Sequence, residues 1–237
     1  MVKPDHPVDE IPYFRESFFD TPYQKYLTLT PHNLQHALLR FAPLIEISLK
    51  AEGVFVECGI GYGRTLQIIT SLLLLKDKSR VVFGFDSFEG FPEPAKEDLT
   101  GKIYPKKGAW KYVKPHHIYE IIQPSQGYTE SVETRIYPGF FEDSICPEVL
   151  AEIETLKGIA FLHLDVDLYQ SYMCTLSRLW NLVNKGGVIL FDEYHISSRD
   201  KFPGAYKAIN EFLASEGIDP QSCIKTDGTG RCYLIKE

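Results

Sequence analysis

From residue 53 onward the sequence alternates short apolar runs with longer amphipathic segments. The short runs are typical of buried parallel strands, and the longer segments have the length and spacing of helices that connect one strand to the next. A chain with this order is expected to fold into a parallel sheet with helices on its faces. The predicted strands are residues 53–58, 80–86, 132–137, 159–165 and 188–192. The predicted helices are residues 65–76, 143–156, 169–183 and 203–216.

The C-terminal end predicts two further strands. Residues 222–226 and 231–236 are joined by a short segment that contains Gly228 and Gly230, which is the pattern of a β-hairpin. We therefore predict an α/β fold with a doubly wound, seven-stranded, mostly parallel sheet that ends in a C-terminal β-hairpin.

The length of 237 residues is that of one α/β domain with additions. Residues 1–52 are predicted to form an N-terminal helical and aromatic extension, in which Thr30 and Pro31 begin a helix that Pro43 should kink or split. Residues 53–237 form the main domain. Within it, residues from about 95 to 131 lack clean periodicity and are interpreted as an insertion that acts as a lid.

Charge and apolar patterning exclude several kinds of partner. The formal net charge of −7 argues against general nucleic-acid binding, which needs many lysines and arginines against the phosphates. No apolar run approaches the length of a membrane-spanning helix, and the acidic, proline-containing start is unlike a signal peptide. The five scattered cysteines are interpreted as reduced thiols. Together these features predict a cytoplasmic protein without nucleic-acid or membrane partners.

Acidic residues follow four of the five predicted parallel strands. The strand ends carry Glu57, Asp86, Asp165 with Asp167, and Asp192 with Glu193. Ligands of open parallel sheets bind beyond the carboxyl ends of the strands, near the point where the strand order reverses. The sequence therefore predicts a ligand site that is lined by carboxylates.

The glycines after the first strand indicate which ligand this is. Gly59, Gly61 and Gly63 follow Glu57, but Arg64 stands where a dinucleotide fingerprint needs its third glycine. An acid before a glycine turn suits a cationic ligand that approaches the backbone closely. Asp86 is then expected to accept hydrogen bonds from ribose hydroxyls. This combination predicts a site for S-adenosylmethionine, which has an ammonium, a sulfonium and a ribose.

A second cluster combines Asp165, Asp167, Asp192 and Glu193. Clustered carboxylates repel one another, so they favour a hard divalent cation such as Mg²⁺, with salt bridges to lysine or arginine as the alternative. His163 lies on an apolar strand and is interpreted as a core residue, whereas His195 is a candidate for substrate contact or proton transfer.

Six segments of the sequence match a known family: FVECGIGYGRT (55–65), GFDSFEGFPEP (84–94), GFFEDS (139–144), LHLDVDLYQSYMCTL (162–176), KGGVILFDEY (185–194) and PGAYKAINEF (203–212). In these segments the sequence resembles the macrocin O-methyltransferase (TylF-like) family, whose members transfer a methyl group from S-adenosylmethionine to sugar hydroxyls of natural products or nucleotide sugars. The resemblance implies a Rossmann-like class I methyltransferase fold.

The resemblance also implies roles for individual residues. The cofactor's methionine end would contact Glu57, Gly59, Gly61, Tyr62 and Gly63, with Asp165 in the same binding set. Its ribose would contact Asp86 and Ser87, and its adenine would lie beside Asp143. The implied Mg²⁺ ligands are Asp165, Asp192 and Glu193, and Glu193 departs from the family pattern because a second aspartate usually stands there.

A divalent cation would lower the pKa of the acceptor hydroxyl and orient it for in-line methyl transfer. Asp165 is the first candidate for the base and His195 the second. The main alternative is a metal-dependent O-methyltransferase that acts on a catechol or another phenol. An NAD-dependent oxidoreductase is disfavoured by Arg64, and a catalytically silent binding protein is disfavoured by the retained acidic cluster.

The predicted lid is basic. Its residues 99–117 contain five lysines and no acid, with Tyr104, Trp110 and Tyr112 between them. The alternatives are a solvated loop and a lid whose lysines contact phosphates of a nucleotide sugar while its aromatic rings stack on the acceptor. The aromatic N-terminal segment is a candidate lid or subunit contact, which would make the protein a homo-oligomer.

Overall fold

A computed structural model describes residues 31–76, 79–111, 113–126, 132–227 and 229–237. The predicted aromatic N-terminal segment, Thr30 and Tyr112 lie outside these residues. The strands are β1 (Val54–Cys58), β2 (Arg80–Asp86), β3 (Val132–Pro138), β4 (Ile159–Leu164), β5 (Val183–Phe191), β6 (Lys225–Thr226) and β7 (Cys232–Ile235).

The strands form one seven-stranded sheet in the order β3-β2-β1-β4-β5-β7-β6. Strands β1 to β5 are parallel, and β7 runs antiparallel to both β5 and β6. The predicted sheet and its C-terminal hairpin are confirmed.

Helices flank the strands. The α-helices are α1 (Pro31–Ser48), α2 (Arg64–Leu75), α3 (Pro115–Gln126), α4 (Phe141–Ser144), α5 (Pro147–Thr155), α6 (Tyr169–Leu179), α7 (Ile196–Arg199), α8 (Pro203–Ser215) and α9 (Pro220–Cys223). Short 3₁₀ helices cover Lys96–Thr100 and Trp180–Leu182. No helix in the described part of the chain is long and apolar enough to cross a membrane.

The central strands are buried on both faces, which explains their continuous apolar runs. In β1, Val54 and Val56 belong to the hydrophobic core on one face, and Phe55 belongs to the core on the other. Helix α1 joins the second core through Phe41 and Ile45. The described part of the predicted extension therefore packs on the main sheet.

Three strand ends are tied together where the site was expected. Gly59 donates its N–H to Phe85 O, Asp165 donates to Cys58 O, and Asp192 donates to Leu164 O, over 2.8 to 3.0 Å. These bonds join the segments that follow β1, β4 and β5 to the neighbouring strands. Because β1 lies between β2 and β4, the reversal of strand order falls beside this group of strand ends.

Several predicted helix boundaries differ from the structure. Helix α1 continues through Pro43 without being split. The helix predicted at 143–156 is two helices, because Pro147 begins α5 at a first-turn position where its missing N–H costs nothing. The helix predicted to reach Val183 ends earlier, and Val183 begins β5. The predicted lid contains the 3₁₀ helix at 96–100 and α3.

Candidate active site

A cavity of about 460 Å³ opens at the carboxyl ends of β1, β2 and β4. Its volume lies in the range of small-molecule sites. Its walls come from the segments that follow these strands and β3, together with one residue of the lid. They comprise Gly59, Ile60, Gly61, Tyr62, Arg64, Thr65, Asp86, Ser87, Gly90, Phe91, Pro92, Trp110, Phe140, Phe141, Glu142, Asp165, Val166, Asp167 and Ser171.

The glycine turn brings the backbone of β1 against that of β4. Gly59 has a φ of +88°, and a Cβ there would lie 1.8 Å from Asp165 O, so no larger residue fits. Gly63 adopts the left-handed conformation just before α2 begins. The turn thus places Gly59, Gly61 and Tyr62 in the cavity wall, whereas Gly63 is not among the wall residues.

Asp86 connects the glycine turn to the cavity. Its carboxylate accepts the N–H of Gly61 at 2.9 Å and the N–H of Phe88 at 2.7 Å. Burial raises its pKa, and these backbone bonds oppose the rise. Ser87, also in the wall, donates its hydroxyl to Gly90 O at 2.8 Å. Both predicted ribose-binding residues therefore line the cavity.

Glu57 is placed differently from the other predicted cofactor residues. Its side chain is fully buried and is not in the cavity wall. One carboxylate oxygen lies 3.2 Å from Nδ1 of His163, which is also buried, and burial raises the pKa of Glu57. Its contact with the cofactor stays a prediction.

Asp165, Asp167 and Glu193 form a cluster of carboxylates. One oxygen from each lies within 4.8 Å of the others, and Glu193 is only 2% exposed. The pKa of Asp165 is raised, and the pKa values of Asp167 and Glu193 are raised well above the usual range, first by burial. Asp165 and Glu193 share a hydrogen bond. Such a group holds its charges only if a proton or a cation lies among them.

Asp192 belongs to a second group, which it forms with His163 and Asp165. Arg231 makes an ion pair with its carboxylate and donates to its backbone oxygen at 3.2 Å. The three predicted metal ligands are thus divided between two groups that share Asp165. Hard oxygen ligands suit a divalent cation such as Mg²⁺, and the group of Asp165, Asp167 and Glu193 offers three of them, so these residues fit the implied ion. The salt-bridge alternative applies to Asp192.

His195 and Asp143 also lie outside the cavity wall. His195 packs against the hairpin segment, since a Cβ on Gly230 would lie 3.0 Å from its Nε2. Asp143 and its neighbour Glu142 are both exposed, but only Glu142 lines the cavity, beside Phe141. The roles of His195 and Asp143 stay predictions.

The lid contributes an aromatic wall. Trp110 lines the cavity, and its ring lies 4.9 Å from that of Phe91. Two backbone hydrogen bonds of 2.9 Å join the lid to the segment that follows β2: Phe91 N donates to Ala109 O, and Gly108 N donates to Phe91 O. Trp110 is thus the lid ring that lines the cavity in the described part of the chain, and its stacking on the acceptor stays a prediction.

The lid lysines that the structure describes are exposed and absent from the cavity wall, and Lys102 pairs with Asp200 at 2.8 Å. Their predicted contact with acceptor phosphates remains a prediction.

Sequence reasoning missed several wall residues. Phe140, Phe141 and Glu142 follow β3, and Ser171 lies on α6. All four lie in segments that resemble the family, at 139–144 and 162–176, but the packing of α4 and α6 beside the strand ends is what brings them to the cavity. The resemblance of the GFFEDS segment implies a role for Asp143, whereas Glu142 is the acid that lines the cavity.

Comparisons with known proteins agree with the predicted family and fold. The chain is 28% identical over 181 residues to the demethyldecarbamoylnovobiocin O-methyltransferase of Streptomyces niveus, covering 74% of this chain and 64% of that protein. It is 29% identical over 190 residues to the 8-demethyl-8-(2,3-dimethoxy-alpha-L-rhamnosyl)-tetracenomycin-C 4'-O-methyltransferase of Streptomyces olivaceus, covering 75% of this chain and 64% of that protein. The chain thus spans about 64% of the length of these two relatives.

A calicheamicin methyltransferase of known structure superposes with a TM-score of 0.73 at 22% identity, covering 92% of this chain and 88% of that one. This likeness confirms the predicted class I methyltransferase fold. The sequence model of the macrocin-O-methyltransferase (TylF) family matches residues 15–234. The chain belongs to the macrocin-O-methyltransferase (TylF) family.

Proposed function

We propose that this protein transfers the methyl group of S-adenosylmethionine to a sugar hydroxyl of a glycosylated natural product, with the help of a divalent cation. The observation that carries the proposal is the cavity in which the glycine turn and Asp86 meet Asp165 and Asp167. A cofactor site and a carboxylate cluster share one wall there. The names of the two Streptomyces relatives support methyl transfer to natural products, and the second name specifies a rhamnosyl group.

The cofactor's position follows from the wall. Gly59 and Gly61 let its methionine end approach the backbone, and Tyr62 lies beside them. One oxygen of Asp86 accepts the N–H of Gly61 in the turn and the other accepts the N–H of Phe88, and both retain lone pairs for ribose hydroxyls. Glu142 and Phe141 extend the wall where the adenine would lie. Phe91 and Trp110 exclude water from one side.

The carboxylates would serve two purposes, which are to bind the cation and to accept the proton of the acceptor hydroxyl. Asp165, Asp192 and Glu193 would hold the cation, with Asp165 common to both groups. A divalent cation at this place supplies positive charge that lowers the pKa of the acceptor hydroxyl. Asp167 is then the better candidate for the base, because it lines the cavity and is not one of the three implied ligands. Asp165, the first candidate from the sequence, would be engaged in ligation.

The experiment is calorimetric titration with S-adenosylmethionine, with and without Mg²⁺, followed by methyl transfer from labelled cofactor to a panel of rhamnosylated and phenolic acceptors. We expect cofactor binding and label in the sugar. Asp167→Asn should bind the cofactor normally and lower kcat at least about 100-fold. Absence of cofactor binding would contradict the proposal, and label in phenols alone would favour the phenol alternative.

A further inference from the structure

The hydroxyl of Tyr172 lies directly against the carboxylate cluster. Tyr172 is on α6 and is fully buried, and its Oη is 2.5 Å from Oε2 of Glu193. Tyr172 is not among the residues of the cavity wall. The proposed reaction therefore assigns no role to it.

The direction of this hydrogen bond follows from counting acceptors. The phenol has one proton, and two acceptors lie within reach: Glu193 Oε2 at 2.5 Å and Leu164 O at 2.9 Å. Leu164 O already accepts the backbone N–H of Asp192 at 3.0 Å. Bonds to a carboxylate are shorter and stronger than bonds to a neutral carbonyl, so Tyr172 donates to Glu193.

Glu193 needs such a partner. Its side chain has one methylene more than aspartate, and Asp165 and Asp167 stand within 4.8 Å of it. Once the proton of the hydrogen bond between Asp165 and Glu193 is lost, repulsion between the ionised carboxylates favours conformations that turn Glu193 away from the others. A fixed donor on Oε2 opposes that movement and leaves the remaining lone pairs of the carboxylate for the cluster.

We propose that Tyr172 is a positioning residue that holds Glu193 in the cluster so that its carboxylate can bind the divalent cation. The inference rests on the proposed function for the presence of a cation, and it adds a residue outside the cavity wall to the machinery. Tyr172 does not itself contact the cation or the substrates.

A double-mutant cycle tests this coupling. Mn²⁺ affinity is measured by calorimetry for the full-length protein and for Tyr172→Phe, Glu193→Asp and the double variant. Tyr172→Phe should weaken Mn²⁺ binding about tenfold or more, as loss of a partner behind a metal ligand commonly does. Glu193→Asp retracts the carboxylate by about 1.5 Å, the length of one C–C bond, and breaks the same hydrogen bond. In that background Tyr172→Phe should have less than about a twofold further effect.

Tyr137→Phe is the matched control. Tyr137 on β3 also donates to a glutamate, with Oη 2.5 Å from Oε2 of Glu152, outside the cavity wall. The Tyr137→Phe substitution should leave Mn²⁺ affinity unchanged. The affinity of Tyr172→Phe for S-adenosylmethionine should stay within about twofold of that of the unchanged protein. A general structural defect would instead weaken the binding of both Mn²⁺ and S-adenosylmethionine.

The outcomes separate this inference from the proposed function. No loss of Mn²⁺ affinity in Tyr172→Phe, an equal loss in both backgrounds, or absence of Mn²⁺ binding by the unchanged protein would overturn it. If Tyr172→Phe fails to fold, the Glu193→Asp variant is measured alone. In that case the positioning role is overturned if Glu193→Asp binds Mn²⁺ as tightly as the unchanged protein or more tightly. Coupled Mn²⁺ binding without methyl transfer would instead refute the proposed function and leave the positioning role intact.

Discussion

Asp192, which the resemblance implies as a metal ligand, already has an arginine as its partner. Arg231 makes an ion pair with the carboxylate of Asp192. Burial lowers the pKa of Arg231 to about 10, and at that pKa the guanidinium is still charged at neutral pH. The arginine therefore supplies positive charge at a residue that the sequence assigned to a metal. A divalent cation at Asp192 has to share that carboxylate with Arg231.

Arg231→Gln should destabilise the cation-free protein by about 2 kcal/mol, because Asp192 loses its ion-pair partner in a partly buried place. For a chain of this size that corresponds to a fall in Tm of roughly 4–8 °C. Added Mg²⁺ should restore more stability to the variant than to the unchanged protein, since Asp192 becomes available. Thermal unfolding with and without Mg²⁺ measures both effects. An unchanged Tm in both conditions would show that the ion pair contributes nothing.

Glu142 and Asp143 differ by one position and by their access to the cavity. Glu142 lines the wall and Asp143 is exposed outside it. Glu142→Ala should weaken S-adenosylmethionine binding about fivefold or more, whereas Asp143→Ala should change it less than twofold, since only the first loses a wall contact. Calorimetric titration of both variants decides the matter. A larger effect at Asp143 would support the role that the resemblance implies for it.

At the scale of elements, the contact between the turn after β1 and the segment after β4 holds the site together. Gly59 makes this contact possible because its φ is +88° and Asp165 O occupies the space of a Cβ. Gly61 also has a positive φ, of +54°, but a Cβ there would meet nothing within 4 Å. Both positions need a positive φ, but only Gly59 lacks room for a side chain.

Gly61→Ala should therefore cost only the backbone penalty, about 1–2 kcal/mol. Gly59→Ala should cost considerably more, since Asp165 O must move and the carboxylate cluster with it. Urea unfolding followed by fluorescence compares the two variants, and Mn²⁺ affinity should fall with Gly59→Ala alone. Equal unfolding free energies would mean that the close approach to Asp165 is relieved without cost.

At the scale of the whole molecule, the buried carboxylates make stability depend on pH. The pKa values of Asp86, Asp165, Asp167 and Glu193 are raised in the folded protein, first by burial. The folded state thus binds these protons more tightly than the unfolded state does. Stability is lost as pH rises from the unfolded pKa values, near 4, through the raised folded ones.

Without divalent cations, Tm should fall as the pH is raised from about 5 to about 8. Saturating Mg²⁺ should flatten this slope, because a cation favours the ionised carboxylates of the cluster. Below about pH 5 the trend should reverse, as exposed acids with lowered pKa values, such as Glu133 and Asp200, lose their partners. Calorimetric scans across this range test the prediction. A Tm that rises towards pH 8 without cations would contradict it.

The order of segments along the chain predicts the sheet and the edge at which the cavity opens. Alternating apolar and amphipathic segments specify parallel strands with crossover helices, and parallel strands bring their carboxyl ends to one edge. The acids and glycines at those ends therefore had to meet there. Asp86, Asp165 and the glycine turn could be assigned to the site for this reason.

The partner that each acid takes depends on how distant segments pack together in the folded chain. Glu57 lies beside His163, Glu193 beside Tyr172, and Asp192 beside Arg231. Arg231 reaches Asp192 because β7 pairs antiparallel with β5 in a register that sets Cys232 opposite Phe191. Such contacts depend on strand register and helix packing between distant segments, which local patterns do not encode, and they determine which carboxylates remain available for a cation.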